Sequence, residues 1–133
     1  MSENDFPGFQ GGYCNLDYLL QNLGRNEETA KRLAGLFLTN YPNLLERMLL
    51  ALSAGDHPAL KNALHDIRSS CVLFSGHQCV DIARRFEDSL RRHATQADAM
   101  LAGDDWGLMA EALCNCLNCM AFEMKAYFEG PST

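Results

Sequence analysis

The stretch from Asp56 to Arg92, DHPALKNALHDIRSSCVLFSGHQCVDIARRFEDSLRR, decides the fold. Its apolar residues Leu60, Leu64, Ile67, Cys71 and Phe74 recur at alternating intervals of four and three, which lays one apolar stripe along a single helix. Asp56 is suited to cap that helix, and Pro58 sits in its first turn, where a missing amide proton costs nothing. The pattern breaks at Ser75 and Gly76 and resumes with Cys79, Ile82, Ala83, Phe86 and Leu90. Ser75 followed three residues later by Gln78 predicts a capping box and a new helix from Gly76. Asp81, Arg84, Arg85, Asp88, Arg91 and Arg92 cover its other face. Two one-sided helices joined by so short a turn lie antiparallel, and each needs further helices to cover its stripe.

Upstream, Asn15 predicts a cap for a short helix through Leu16, Leu19, Leu20 and Leu23, stopped at Gly24. A longer helix follows Asn26, with Glu27 and Glu28 in its first turn, where exposed amides favour negative charge. Its expected apolar face is Leu33, Leu36, Phe37, Leu44, Leu45, Met48, Leu49 and Leu52, ending at Gly55. Pro42 predicts either a kink there or two helices abutting near Asn40. Downstream, residues 94–104 read as a connection, and a last helix starts near Gly103 or Asp104. It carries Trp106, Met109, Leu113, Leu117, Met120, Met124 and Phe128 and stops at Gly130 and Pro131. The expected fold is all-α, an antiparallel four-helix bundle with a short N-terminal accessory helix. Residues 1–13 read as a flexible leader pinned by Phe9 or Tyr13, 14–129 as one domain, and 130–133 as a tail.

Composition narrows the functions. With 133 residues, 47% of them apolar, the chain has one domain's worth of material and enough to bury a core. Its net charge of -6 repels a phosphate backbone, so nucleic acid is not an expected partner. No apolar run approaches the roughly 20 residues of a membrane span, and Glu3 and Asp5 are wrong for a secretory signal, so the expected location is the cytoplasm. The six cysteines are expected to be mainly reduced core residues. Cys114, Cys116 and Cys119 invite a metal, but on one helix Cys114 points away from the other two.

His65 stands about 100° around its helix from Leu64, off the apolar stripe, and is expected to face solvent. Lys61 lies one turn before it, and Arg68 and Ser69 lie one turn after. An imidazole between cations is chemically suited to hold a phosphoryl group, since the ring supplies the nucleophile and the cations offset oxygen charge. Spacing alone is equally compatible with an ordinary exposed histidine. His57, His77 and His93 read first as residues of helix ends, with His77 placed across the turn from the His65 face. Trp106 reads as an anchor for the last helix.

The run Leu64-His65-Asp66-Ile67-Arg68-Ser69-Ser70-Cys71, continued through Ser75, Cys79, Ala83, Phe86 and Glu87, resembles the signature of histidine-containing phosphotransfer domains. In that family the phosphorylated histidine is followed by a variable residue, an apolar residue, a lysine and a glycine, with another glycine near the next turn. The resemblance extends from about Leu16 to Phe128 and is sharpest over residues 54–87. It implies that His65 takes a phosphoryl group from an aspartate of one receiver domain and gives it to another. It also implies that Arg68 and Ser69 assist at the reacting centre. Lys61, Asp66, Val72 and His77 are the expected docking surface around them. Receiver domains and a hybrid histidine kinase are the implied partners. No cofactor of its own is expected, because Mg2+ would be carried by the receiver, and with no phosphate-binding glycine loop the chain would be a carrier without kinase activity. Three positions depart from the pattern: Arg68 replaces the lysine, Ser69 the glycine beside the histidine, and Ser75 the turn glycine. The alternative these departures raise is a binding or inhibitory module for a receiver or kinase that takes no phosphate.

Overall fold

The computed structural model describes residues 13–95 and 105–129. The expected leader, apart from Tyr13, most of the 94–104 connection and the 130–133 tail lie outside the described residues. Among the described residues there are five helices and no strand: α1 (Leu16–Asn22), α2 (Glu27–Ala54), α3 (His57–Leu73), α4 (His77–Thr95) and α5 (Trp106–Glu129). The last four form a ring in which α2 packs on α3, α3 on α4, α4 on α5, and α5 closes onto α2. This is the bundle expected from the stripe periodicity, with α1 laid against α2.

Side-chain caps set the starts of the helices. Asn15, Asn26 and Asp56 accept from the backbone amides of Tyr18, Thr29 and Ala59, satisfying donors that a helix start leaves open. The last helix starts at Trp106, a little later than expected, and Asp105 accepts from the Leu108 amide at 3.1 Å. The turn expected at Ser75 and Gly76 is present, and α4 begins at His77. Ser75 takes a left-handed φ of 58° one residue past the Phe74 cap of α3, and the first backbone bond of α4 runs from the Val80 amide to the Gly76 carbonyl. Gly76 is needed there, since an added Cβ would stand 2.7 Å from the Met120 sulfur and 3.3 Å from the Cys71 carbonyl oxygen. The α3–α4 turn therefore sits directly on α5.

Pro42 does not divide α2, which runs unbroken from Glu27 to Ala54. Its ring lies on an exposed face, where water can serve the Leu38 carbonyl that loses its partner. The predicted core stripe of α2 is partly corrected. Leu36 and Leu49 are exposed, while Ala30, Ala34 and Ala51 are buried with Phe37, Leu45 and Met48. The centre of the bundle is filled by Met48, Leu60, Leu64, Ile67, Phe86, Leu113, Leu117, Met120 and Met124, all essentially without solvent contact. Each contributes about 1.5–3 kcal/mol by burial, the scale that opposes backbone ordering.

The cysteines do not all behave as expected. The sulfurs of Cys79 on α4 and Cys116 on α5 are joined as a disulfide, with Cα atoms 5.7 Å apart, while Cys14, Cys71, Cys114 and Cys119 are free thiols. Cys116 is thereby committed to α4 and does not share a site with Cys119. At the far end of the bundle the rings of His57, His93 and Trp106 meet edge to face at 5.1–5.4 Å, and Trp106 Nε1 donates to buried Ser89 Oγ at 2.8 Å. Near the N-terminus, Glu123 accepts from the amides of Tyr13 and Cys14 at 3.3 and 3.2 Å, which holds Tyr13 there, while Phe9 lies outside the described residues.

Candidate functional site

Because Leu60, Leu64, Ile67 and Cys71 turn inward, α3 presents the opposite ridge to solvent. His65 lies on that ridge and is exposed, with Lys61, Ser69 and Val72 exposed along the same line. Two side-chain pairs leave the ridge in opposite directions and tie it to its neighbours. On the α2 side, Arg47 Nη1 donates to Asp66 Oδ2 at 3.0 Å. Both side chains are about half exposed, so this pair contributes at most ~1 kcal/mol, and its effect is to orient Asp66.

The pair on the α4 side is more enclosed. Arg68 Nε donates to both carboxylate oxygens of Glu87, at 3.1 and 3.3 Å, and the Arg68 and Glu87 side chains are only 26% and 15% exposed. A charged pair shielded to this degree is stronger than a surface pair and fixes the long arginine side chain. From that anchor Arg68 Nη2 reaches His65 Nδ1 at 3.2 Å. Glu87, Arg68 and His65 thus form a chain of contacts from α4 to the outer ridge of α3. Arg68 keeps the two N–H groups of Nη1 and one of Nη2 without a partner among the described residues.

An apolar groove adjoins the ridge. It runs between α2 and α3, encloses about 180 Å³, and is lined by Leu33, Leu36, Phe37, Asn40, Tyr41 and Leu44 on one wall and Ser69, Ser70, Leu73 and Phe74 on the other. Leu36, Val72 and Leu73 are 54%, 56% and 47% exposed, a concentration of open apolar surface on the C-terminal half of α3 and on the α2 wall of the groove.

The positions singled out in the sequence are distributed as follows. His65 and Arg68 are in contact. Lys61, Ser69 and Val72 share the ridge, with Ser69 also forming the rim of the groove. Asp66 is adjacent but engaged by Arg47. His77 is exposed at the start of α4, beyond the α3–α4 turn. Since α3 continues for eight residues after His65, that turn lies about 12 Å further along the bundle, so His77 is not brought to the ring. Sequence spacing did not identify Glu87 as the anchor of Arg68 or Arg47 as the partner of Asp66. The available signal was their charge, each 19 residues from its partner across a short turn.

Chemically, the ridge offers an accessible imidazole, a fixed cation at one ring nitrogen with spare donors, and an apolar apron. No curated protein and no solved structure shows significant similarity to the chain. A family model does match: the Hpt domain, over residues 32–116, a span that takes in α2 from its second turn, all of α3 and α4, and the first half of α5. That span includes His65, Arg68, Glu87 and the groove, so the chain belongs to the Hpt domain family, the histidine phosphotransfer modules of two-component signalling.

Proposed function

We infer that His65 relays a phosphoryl group between aspartates of receiver domains. The observation that carries this reading is the exposed His65 ring on the outer ridge of α3, with the anchored Arg68 guanidinium 3.2 Å from its Nδ1 atom. A neutral ring nitrogen attacks phosphorus in line with the departing aspartyl oxygen. The N–P bond forms, the P–O bond breaks, and the electron pair remains on the carboxylate. The spare donors of Arg68, with Lys61 one turn away, offset charge on the three phosphoryl oxygens. The second transfer is the same step reversed with a different aspartate. The receiver supplies the acidic residues and the Mg2+ that hold the phosphoryl group.

Docking uses the apolar surface that runs from the ring along the C-terminal half of α3 to the groove. Leu36, Val72 and Leu73 would be covered by a receiver approaching over Ser69, whose small side chain keeps the path to His65 open. Asp66, locked to Arg47, contributes to the polar rim.

The test is transfer from a panel of phosphorylated receivers in the presence of Mg2+. The protein should acquire acid-labile phosphate, and His65→Gln should acquire none. Equal labelling of both would reject the site. Stable binding of a receiver with no label in the wild type would favour the non-phosphorylated binding module.

A further inference from the structure

The contact between Arg68 and His65 has a chemical direction. A guanidinium carries donors only, so the Nδ1 atom 3.2 Å from Arg68 Nη2 presents its lone pair to it. The neutral ring then carries its proton on Nε2. This arrangement suits two of the three states that a phosphoryl carrier passes through. At rest Nε2 holds the proton and Nδ1 is free to accept. Once Nε2 holds a phosphoryl group, Nδ1 again has a lone pair. Attack is different, because Nε2 must then offer its lone pair and Nδ1 must carry the proton, at the place Arg68 occupies.

We propose that Arg68, held by Glu87, is a latch on His65 Nδ1 that must lift for a phosphoryl group to arrive or leave. The proposal rests on the reading of His65 as the phosphoryl carrier. When the latch lifts, the ring proton passes by way of water from Nε2 to Nδ1. The Nε2 lone pair then bonds phosphorus, the bond from phosphorus to the aspartyl oxygen breaks, and its electrons stay on that carboxylate. The ring now has phosphorus on Nε2 and a proton on Nδ1. It releases the proton to water, and Arg68 returns to the Nδ1 lone pair.

Departure needs the reverse. A ring unprotonated at Nδ1 would have to leave as an anion, whereas one protonated there leaves as neutral imidazole. Arg68 on the lone pair excludes that proton and so protects the phosphoryl group from water. A lifted Arg68 is free to meet the phosphoryl oxygens, which couples release of the ring to transfer.

Glu87 makes the latch possible. A free arginine on an exposed ridge would spread over many rotamers, while Glu87 grips Nε with both oxygens at 3.1 and 3.3 Å. It does not bond to the ring and is a positioning residue. The other charges about the site are Lys61 on the same helix, the Arg47–Asp66 pair between α2 and α3, and Arg84 one turn before Glu87. None of them is hydrogen-bonded to the ring.

The experiment loads the ring with phosphoramidate, which needs no receiver, and follows loss of the phosphohistidine 31P signal at neutral pH. Loss of a charge-assisted bond to Nδ1 should shorten the half-life about tenfold in Arg68→Met and in Glu87→Ala. Glu87→Gln, which keeps an acceptor for Nε, should fall between them and the wild type. Imidazole 15N shifts of the unloaded protein give a second readout that needs no phosphoryl group. The wild type should show Nδ1 as the unprotonated nitrogen, with the two tautomers mixing in the variants. Equal half-lives in folded variants, or a wild-type ring protonated at Nδ1, would overturn the latch. If the half-lives differ as stated but no receiver transfers phosphate, the latch stands and the relay falls. If receivers transfer normally and the half-lives are equal, only the latch falls.

Discussion

Ser75 and Gly76 are neighbours with opposite requirements. Ser75 holds a left-handed φ of 58°, which costs a side-chain-bearing residue about 1 kcal/mol, whereas Gly76 has no room for a Cβ against Met120 and the Cys71 carbonyl. Ser75→Gly should therefore raise stability by roughly 0.5–1 kcal/mol, and Gly76→Ala should lower it by about 1–3 kcal/mol, both read by urea unfolding. The same comparison explains the glycine that the family pattern carries at the place of Ser75: the turn needs a left-handed residue there. At this scale the sequence was informative about His65 and Arg68, because residues three apart on one helix must be neighbours. It placed Glu87 in the family pattern but was silent on its bond to Arg68, because pairing across two helices depends on their relative rotation and on side-chain reach, neither of which a spacing within one helix contains. His77 shows the same limit: proximity in sequence across a turn does not bring it back along α3 to the ring.

The elements were legible in so far as their ends were chemical. Asn15, Asn26 and Asp56 cap helices where their side chains suggested, and Asp56→Ala should cost about 1 kcal/mol, measured as a lower midpoint of denaturation. The continuity of α2 through Pro42 was not readable, because it depends on the proline facing water and on the packing of both halves against α3. The burial of Ala30 and Ala34 in place of Leu36 is likewise a matter of which face α3 and α1 occupy. The disulfide between α4 and α5 was missed because its cysteines are 37 residues apart and each also fits an apolar stripe. Thiol titration of the oxidised, denatured protein should count four free cysteines, and a non-reducing digest should yield a peptide pair joining Cys79 to Cys116. Six reactive thiols in protein purified without reductant would contradict that pairing.

The described residues form a closed ring of helices that buries the Cys14 and Cys71 thiols and displays the His65 imidazole. Burial pushes the Cys71 thiol from an ordinary 9.0 up to about 12, and Cys14 is raised in the same direction by burial and by Glu123. A raised folded value means that the stability from keeping Cys71 neutral is complete below pH 9.0 and is lost as pH climbs toward 12. The expected slope for this thiol is about 1.4 kcal/mol per pH unit, seen as the difference between alkaline unfolding of the wild type and of Cys71→Ala. A helical bundle was evident from periodicity alone, since no competing strand pattern exists. The groove that Ser69 rims was not, because it lies between α2 and α3 and depends on how the two helices pack, which no spacing within one helix contains. The measurement that bears most directly on the central claim is mass spectrometric localisation of the phosphoryl group after the protein is mixed with a phosphorylated receiver and Mg2+. The account predicts one phosphoryl group per chain, on His65, that passes to an aspartate when a fresh receiver is added. A label on any other residue, or a folded protein that never takes one from any receiver tried, would contradict it.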